Sequence, residues 1–363
     1  MSEGLEDVVA AETVLSHVDG EAGALIYRGH AMEELAGSAS YEAVAGLFWD
    51  GFVDGRTDEA SIRAALGRGR LRAAEIAAPL LARTDGLSAV EALRLLLAAL
   101  SDSETIPHHI LATAAVPVFA AAIARRRAGA MPGEPDSDSG HAADFLRLLR
   151  GAPASAAETA ALDTYLVTVL DHGLNASTFA ARVVASTRAG LFSSVVAALC
   201  ALKGPLHGGA PGPVLDMLDA IGSEENIDAW LEQAIEDGAR LMGFGHRVYR
   251  VRDPRADVLK SVALRLRGGT NWIAFAETVE RRALALLARR KPGRRLDTNV
   301  EFYTALVLDA LALPRDLFTP VFAIGRVAGW SAHVLEQERS GRIIRPQSRY
   351  VGPAPTPPRA LAG

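Results

Sequence analysis

The chain has 363 residues, of which 49% are hydrophobic, so it can bury a large core, which we expect to be divided over more than one domain. Its net charge of −5 includes no basic block apart from residues 125–127 and 289–291, which we interpret as solvated helix ends, and this argues against a nucleic-acid partner. Leu and Ala dominate, aromatic residues make up only 6%, and runs of β-branched residues are short. This balance favours helices over sheet, and we predict an almost entirely α-helical protein.

Cysteine usage and the N-terminus bear on the cellular compartment. A single cysteine, Cys200, excludes an intramolecular disulfide and a multi-cysteine metal site, and it fits a reducing compartment. The N-terminus is acidic without the basic segment of a secretory signal, and no uninterrupted apolar segment is long enough to span a bilayer. We therefore expect a cytoplasmic protein with no membrane partner. Cys200 lies in an apolar helical stretch, where we interpret it as a small buried side chain rather than a nucleophile.

The first predicted element is a small β-hairpin over residues 13–27, where β-forming residues flank the turn pair Asp19-Gly20. Further along the chain, Ser88 and Glu91 have the spacing of a capping box, in which each side chain bonds a free backbone N–H at a helix start. A leucine-rich run comes next, so we expect a long buried helix to follow.

Three further segments have a local interpretation. His108 and His109 are expected to open a helix rather than to bind a metal ion. Residues 131–140 are rich in turn-forming and acidic residues and predict an exposed connection between helices. The proline-rich residues 353–358 cannot continue a helix and have little to bury, which predicts a mobile C-terminal tail.

Two segments each hold a histidine on a glycine-flanked backbone: His207 within residues 202–210 and His246 within residues 243–255. Glycine permits unusual backbone angles and close approach of a ligand, and imidazole titrates near neutrality. Two such sites in one chain suggest acid–base chemistry. The alternative for a lone histidine is a hydrogen-bonded core or cap residue, so the catalytic interpretation depends on the surrounding motifs.

Neither segment predicts a nucleotide-binding loop. Gly243 and Gly245 lack the third glycine of a dinucleotide fingerprint, and no β-α-β pattern surrounds them. Residues 204–209 lack the Gly-Lys-Ser/Thr ending of a P-loop.

Both histidine segments closely resemble the histidine motifs of the citrate synthase family, whose members condense the acetyl group of acetyl-CoA with oxaloacetate and then hydrolyse the thioester. Four more segments resemble the family's motifs in the same order and at about the same spacings, and several long motifs in one order are a strong signal. These are residues 171–178, 299–303, 325–333 and 342–346.

The resemblance implies a two-domain helical fold. Residues 1–207 and 314–363 would form a large, discontinuous helical domain, and residues 208–313 a small helical domain that holds much of the active site. His207 would then lie at one hinge, while His246 and Glu301 would belong to the small domain. Domain closure would bring the reacting groups together and exclude water.

By the same resemblance, Glu301 is the base that removes a proton from the acetyl methyl group. His207 stabilises the enol, and His246 donates a hydrogen bond to the oxaloacetate carbonyl. Histidines and arginines would stand in for a Lewis acid, so the resemblance implies no metal ion and no tightly bound cofactor, with acetyl-CoA as cosubstrate.

Oxaloacetate is a dianion, and planar guanidinium groups can bind its carboxylates bidentately. The family's substrate-binding residues correspond here to His172, Arg255, Arg326 and Arg345. In this family the last arginine usually reaches the neighbouring subunit's site, which implies a homodimer. The positions that correspond to CoA-binding ones are Gly243, Gly245 and Arg250, with Arg252 as a neighbour.

Three positions depart from the family pattern. Glu301 replaces the usual aspartate base, Gly173 an adjacent glutamate, and Pro211-Gly212 the usual Asn-Glu pair. A carboxylate displaced by about 1 Å can cost on the order of a hundredfold in rate, so the geometry around Glu301 is decisive. The predicted function is citrate synthase, with two alternatives: a 2-methylcitrate synthase that uses propionyl-CoA, or a catalytically weak CoA- or dicarboxylate-binding homologue.

Overall fold

The computed structural model describes residues 3–5, 8–208, 211–245, 248–249, 251–266 and 271–353, and these are mostly helical. The predicted all-α class is confirmed. The first nine helices are α1 (Met32–Leu35), α2 (Tyr41–Trp49), α3 (Glu59–Ala77), α4 (Ala89–Leu97), α5 (His108–Arg127), α6 (His141–Arg150), α7 (Ala156–Thr168), α8 (Ala176–Ala185) and α9 (Leu191–Leu202). The others are α10 (Pro211–Ile221), α11 (Ile227–Glu236), α12 (Pro254–Leu266), α13 (Asn271–Arg290), α14 (Val300–Ala310) and α15 (Phe318–Ser340).

A three-stranded antiparallel sheet precedes the helices. Strand β1 (Ser16–Asp19) pairs with β2 (Ala24–Tyr27), and β2 pairs with the two-residue strand β3 (His30–Ala31). The predicted hairpin is thus confirmed, while the third strand was not foreseen from the sequence.

The turn of this hairpin packs against the segment that precedes α12. A Cβ atom on Gly20 would lie 2.3 Å from the carbonyl oxygen of Val248, and one on Gly23 would lie 2.6 Å from a methyl group of Val251. Both turn positions therefore need glycine. The N-terminal sheet supports the chain on the C-terminal side of His246, although it is remote in sequence.

Helix α5 lies in the core, with residues 109–123 buried. Contrary to the sequence-based expectation, its length and composition would allow it to span a membrane, but 83% of its apolar window is buried inside the protein. The capping box of Ser88 and Glu91 is present, yet α4 has only nine residues, so the prediction of a long helix there was wrong. The expected helix start is confirmed at His108.

Other local predictions had mixed outcomes. The connection 131–140 is irregular and mostly accessible, as predicted, and the basic runs lie at the ends of α5 and α13. Cys200 is exposed on α9, so its assignment to the core was wrong. An apolar stretch of sequence does not reveal which face of its helix is turned outward.

The C-terminal part of the chain leaves the helical body. After α15 the backbone is irregular from Gly341 to residue 353, and most of this segment is exposed. The predicted tail beyond it lies outside the described residues, as do His246 and Arg250. The division into a large and a small domain stays a prediction.

Candidate active site

Helix α15 approaches the end of α7 so closely that only glycine fits at two positions. A Cβ atom on Gly329 would lie 2.2 Å from the carbonyl oxygen of Leu170, and one on Gly325 would lie 2.5 Å from a methyl group of Val169. Between these glycines, Arg326 is 1% exposed and its Nε donates a 2.6 Å hydrogen bond to the Val169 carbonyl. The close packing fixes a buried guanidinium next to the end of α7.

The turn after α7 is held by the buried carboxylate of Asp171. One carboxylate oxygen lies 3.2 Å from Nε2 of His333, and the other accepts from the Ser16 hydroxyl and from the backbone N–H of Gly173 at 3.1 Å. Burial alone would raise the pKa of Asp171, but His333 and the other partners keep it below its usual value. The anchored turn carries the next residue, His172, into the site.

His172 connects this turn to the segment before α12. Its Nε2 lies 3.2 Å from the hydroxyl of Tyr249, and the Arg255 guanidinium lies 5.8 Å from the centre of the Tyr249 ring. Arg255 is 3% exposed and binds Asp253 through Nε at 3.0 Å and Nη2 at 2.8 Å. Asp253 also accepts from the backbone N–H of Val300 at 3.2 Å, so the pair is tied to the start of α14.

His207 lies in the tight turn that follows α9. The Gly208 N–H closes this turn on the Leu202 carbonyl at 2.9 Å. Nε2 of His207 lies 2.8 Å from the Ser177 hydroxyl, which also accepts a 3.1 Å hydrogen bond from the indole N–H of Trp330. The His207 imidazole is thus connected through Ser177 on α8 to Trp330 on α15.

The surroundings of His207 determine the protonation state of its ring. Burial and, after it, the Arg326 charge lower the pKa of His207 to about 4, so the ring is neutral at pH 7. The Ser177 hydroxyl has one proton, which can go to Nε2 of His207 or to the Asn175 side-chain oxygen 2.7 Å away. That oxygen already accepts two backbone N–H groups at 3.1 Å. Donation to Nε2 leaves the imidazole proton on Nδ1, where it is available to a substrate oxygen.

Glu301 lies in the first turn of α14, opposite a glycine-containing loop. Gly243 and Gly245 have φ angles of +85° and +80°, which strongly favour glycine. Asn299 caps the helix by accepting the Glu301 backbone N–H at 3.0 Å, and its amide donates to the Gly245 carbonyl at 2.8 Å. The cap therefore connects the base candidate directly to the loop that precedes His246.

The electrostatic environment of Glu301 comes from several elements. Burial raises the pKa of Glu301 to about 7; the charge of Asp253 acts in the same direction, whereas Arg255, Arg326 and Arg240 lower it. A carboxylate with such a pKa is a stronger base than an ordinary glutamate and is still substantially ionised at neutral pH. Both buried guanidinium groups, Arg255 and Arg326, therefore act electrostatically on the Glu301 carboxyl.

A cavity of about 1050 Å³ adjoins the glycine loop, and Gly245 is among its lining residues. Four cationic side chains also line it: Arg240, Lys291, Arg294 and Arg295. Such a concentration of positive charge suits a phosphate-bearing ligand. Lys291 belongs to a basic run interpreted from sequence as a solvated helix end, so that interpretation was incomplete.

Arg252, predicted as a neighbour of the CoA site, is engaged within the chain. Its guanidinium binds Asp257 at 2.6 Å and Glu280 at 2.9 Å. Its proposed role therefore stays a prediction, which would require these ion pairs to share the guanidinium with a ligand. In the described part of the chain, no group of three or more His, Cys, Asp or Glu side chains has the arrangement of a metal site.

Comparisons with known proteins agree with this geometry. The family described as "Citrate synthase, C-terminal domain" matches residues 4–347. A citrate synthase of Haloferax volcanii is 40% identical, with 97% of this chain and 96% of that protein covered. The chain belongs to the citrate synthase family.

Solved structures of the family have the same fold. The ternary complex of Thermoplasma acidophilum citrate synthase with carboxymethyl-CoA and oxaloacetate superimposes with a TM-score of 0.89 at 29% identity, covering 98% of this chain and 97% of that one. Thermotoga maritima citrate synthase gives a TM-score of 0.86 at 32% identity, with 98% and 97% covered.

Five of the site residues that the citrate synthase resemblance implies are connected in the structure. Arg326 acts electrostatically on both His207 and Glu301, and His172 reaches Arg255 through Tyr249. Arg345 is an exception, because it lies exposed in the irregular segment after α15. His246 and Arg250 fall outside the described residues.

Several site residues were missed in the sequence. Ser177, Trp330 and Tyr249 stand inside the quoted citrate synthase motifs, so their position was a usable signal, but their hydrogen bonds to the histidines depend on the packing of separate helices. Arg240, Arg294 and Arg295 carry no motif, and only the cavity shows that they converge.

The pKa of Glu301 predicts a pH effect on stability. The pKa is about 7 in the folded protein against 4.5 for the ordinary group, so the folded state binds more protons between these values. The stability that the protonated Glu301 carboxyl contributes is fully present below pH 4.5, and it is lost as the pH rises through the folded-state pKa of about 7. Glu301→Gln removes this titration, so its free energy of unfolding should rise relative to wild type over this window by on the order of 1–3 kcal/mol. Denaturant unfolding at several pH values measures the difference; parallel pH curves would contradict it.

Proposed function

We propose that this protein is a citrate synthase that condenses acetyl-CoA with oxaloacetate and hydrolyses the product thioester to citrate and CoA. The observation that carries the proposal is the cluster of Glu301, whose pKa is raised to about 7, with buried Arg255 and Arg326. A base of this strength beside two guanidinium groups suits proton abstraction next to a bound dianion.

In the first step, Glu301 takes a proton from the acetyl methyl group, and the electrons of the C–H bond form an enol or enolate. Neutral His207 donates its Nδ1–H to the thioester oxygen, where negative charge develops. Since Nε2 is engaged by Ser177, the donor is already oriented before the substrate arrives.

In the second step, the C=C electrons of the enol form a C–C bond to the ketone carbon of oxaloacetate, the thioester C=O re-forms and its proton returns to His207. The ketone oxygen takes up a proton from His246, the proposed donor to that carbonyl. Arg255 and Arg326 hold the dicarboxylate, and His172 and His246 are proposed as further hydrogen-bonding contacts. Water then cleaves the thioester, which gives citrate and CoA with its thiol protonated.

The cationic cavity supports CoA as the carrier. Arg240, Lys291, Arg294 and Arg295 can neutralise phosphate groups, and Gly245 joins this cavity to the helix cap of Glu301. The Thermoplasma acidophilum relative binds carboxymethyl-CoA and oxaloacetate, which supports the same pair of substrate classes here.

A turnover assay that follows CoA release tests the proposal. Purified protein should release CoA from acetyl-CoA only when oxaloacetate is present, with a kcat/KM at least about tenfold above that for propionyl-CoA, because one methylene in an acyl pocket is worth about 1–3 kcal/mol. A preference for propionyl-CoA would instead identify a 2-methylcitrate synthase. No release from either thioester, with binding retained, would identify a non-catalytic homologue.

Two further parts of the proposal concern assembly and location. A homodimer is proposed because Arg345 lies exposed in the segment after α15, and the arginine that corresponds to it in the family usually reaches the neighbouring subunit's site. The cytoplasm is proposed as the compartment, and fractionation of the native host with an antibody against the protein would test it.

A further inference from the structure

Among the residues that the structure describes, one buried tyrosine has no hydrogen-bond partner. Tyr165, on α7, is 0% exposed, and within the described residues its hydroxyl oxygen bonds no protein group. A buried hydroxyl without a partner costs free energy, because it has given up its hydrogen bonds to water.

The other buried tyrosines differ in this respect. Tyr27 bonds the Asp171 carbonyl at 2.8 Å, and Tyr41 bonds the Ile324 carbonyl at 2.8 Å. Tyr249 and Tyr303 bond His172 at 3.2 Å and Glu280 at 2.5 Å. Tyr165 therefore stands apart among the buried tyrosines, and its hydroxyl group requires an explanation of its own.

The position of Tyr165 connects it to the active site. It lies one helical turn before Val169, whose carbonyl holds Arg326, and α7 packs against both α14 and α15. Burial raises the pKa of the Tyr165 hydroxyl, and the nearby Glu301 charge raises it further, while Arg326 opposes the rise. The unpartnered hydroxyl thus lies in the electrostatic field of the base and of a substrate-binding arginine.

We propose that Tyr165 is a positioning residue for the general base: its hydroxyl donates a hydrogen bond to the Glu301 carboxylate when that group is ionised. This inference rests on the proposed function, in which Glu301 abstracts the proton. A glutamate is one methylene longer than the aspartate of the family pattern and has one more rotatable bond. A donor from α7 would hold one carboxylate oxygen and leave the other directed at the substrate.

The hydrogen bond has a defined electrostatic consequence. A donor to the charged form of a carboxyl lowers its pKa, so Tyr165 would keep Glu301 more ionised near neutrality than burial alone would allow. The other charged groups that act on Glu301 come from three other parts of the fold: Asp253 and Arg255 at the start of α12, Arg326 on α15, and Arg240 after α11.

The test is Tyr165→Phe, which removes the hydroxyl and retains the ring. The acid limb of the kcat/KM profile should move upward by about one pH unit, with a roughly tenfold loss of kcat/KM on that limb, since the base would need a higher pH to ionise. At pH 6, where Glu301 is mostly protonated, the midpoint of thermal unfolding should stay the same or rise, because an unsatisfied hydroxyl has been removed. A purely structural role predicts a lower midpoint and an unmoved profile.

Two comparisons sharpen this test. Tyr41→Phe removes a buried hydroxyl that is already bonded, so it should lower the thermal midpoint without moving the acid limb. In a Glu301→Gln background, Tyr165→Phe should cause no further loss of turnover, because the group it positions is gone. Independent, additive losses would overturn the proposal.

A direct titration separates this inference from the proposed function. The infrared carboxyl band that disappears in Glu301→Gln reports the ionisation of Glu301 in wild type and in Tyr165→Phe, whether or not either protein turns over. Its pKa should be higher in Tyr165→Phe. An unchanged pKa would overturn the proposal. A rise confined to the KM for oxaloacetate would also overturn it and would assign the hydroxyl to the dicarboxylate instead. Absence of wild-type turnover with a shifted band would count against the proposed function alone.

Discussion

Glu301→Gln should lower turnover at least about a hundredfold while the fold and dicarboxylate binding are retained. The amide has nearly the volume of the carboxyl group, so the packing at the start of α14 and the cap from Asn299 stay in place. What is lost is the only group in the cluster assigned to accept the methyl proton. The effect should therefore fall on kcat, with little change in the affinity for oxaloacetate.

The measurement is steady-state CoA release at saturating acetyl-CoA, combined with calorimetric titration of oxaloacetate. Glu338→Gln provides a control, because Glu338 is an exposed carboxyl on the part of α15 beyond the site, and its loss should leave turnover unchanged. Near-normal turnover in Glu301→Gln would remove Glu301 from the role of base. A fall in oxaloacetate affinity alone would make it a binding residue.

A mixture of Arg345→Ala and His246→Ala chains should regain activity that neither parent has. Arg345 lies exposed in the segment after α15, whereas Arg255 and Arg326 are buried. If it completes the partner's pocket, both lesions of a mixed dimer fall in one pocket and the other pocket is intact. The shared pocket also predicts that an isolated monomer is inactive.

The expected size of the recovery follows from counting. Random exchange between equal amounts of the two variants makes about half of the dimers mixed, and each of these has one intact pocket of two, so the mixture should reach about a quarter of wild-type activity. Subunit exchange is verified by native mass spectrometry with one chain isotopically labelled. A mixture that has exchanged but is no more active than its parents would exclude a role for Arg345 in trans. An Arg342→Ala chain in place of Arg345→Ala tests whether the neighbouring arginine serves equally well.

Local sequence signals and the order of the motifs predicted much of this structure. The Asp19-Gly20 turn predicted the hairpin, and Ser88 with Glu91 predicted a helix start, because both signals depend on neighbours only a few residues apart. The predictions that failed needed non-local information. Cys200 was assigned to the core from an apolar stretch, whereas the orientation of α9 exposes it.

The sequence by itself determined the family, the helical class and the residues proposed for the reaction, since these depend on the identity and order of side chains. Tertiary structure alone decided their protonation and partners. His207 is neutral because burial and Arg326 act on it, and Glu301 becomes a stronger base because burial removes solvent from its carboxylate. Tyr165 lies in none of the sequence motifs, and the role proposed for it depends on the packing of α7 against α14 and α15. Burial and charge act through space, and the elements that supply them here are far apart along the chain.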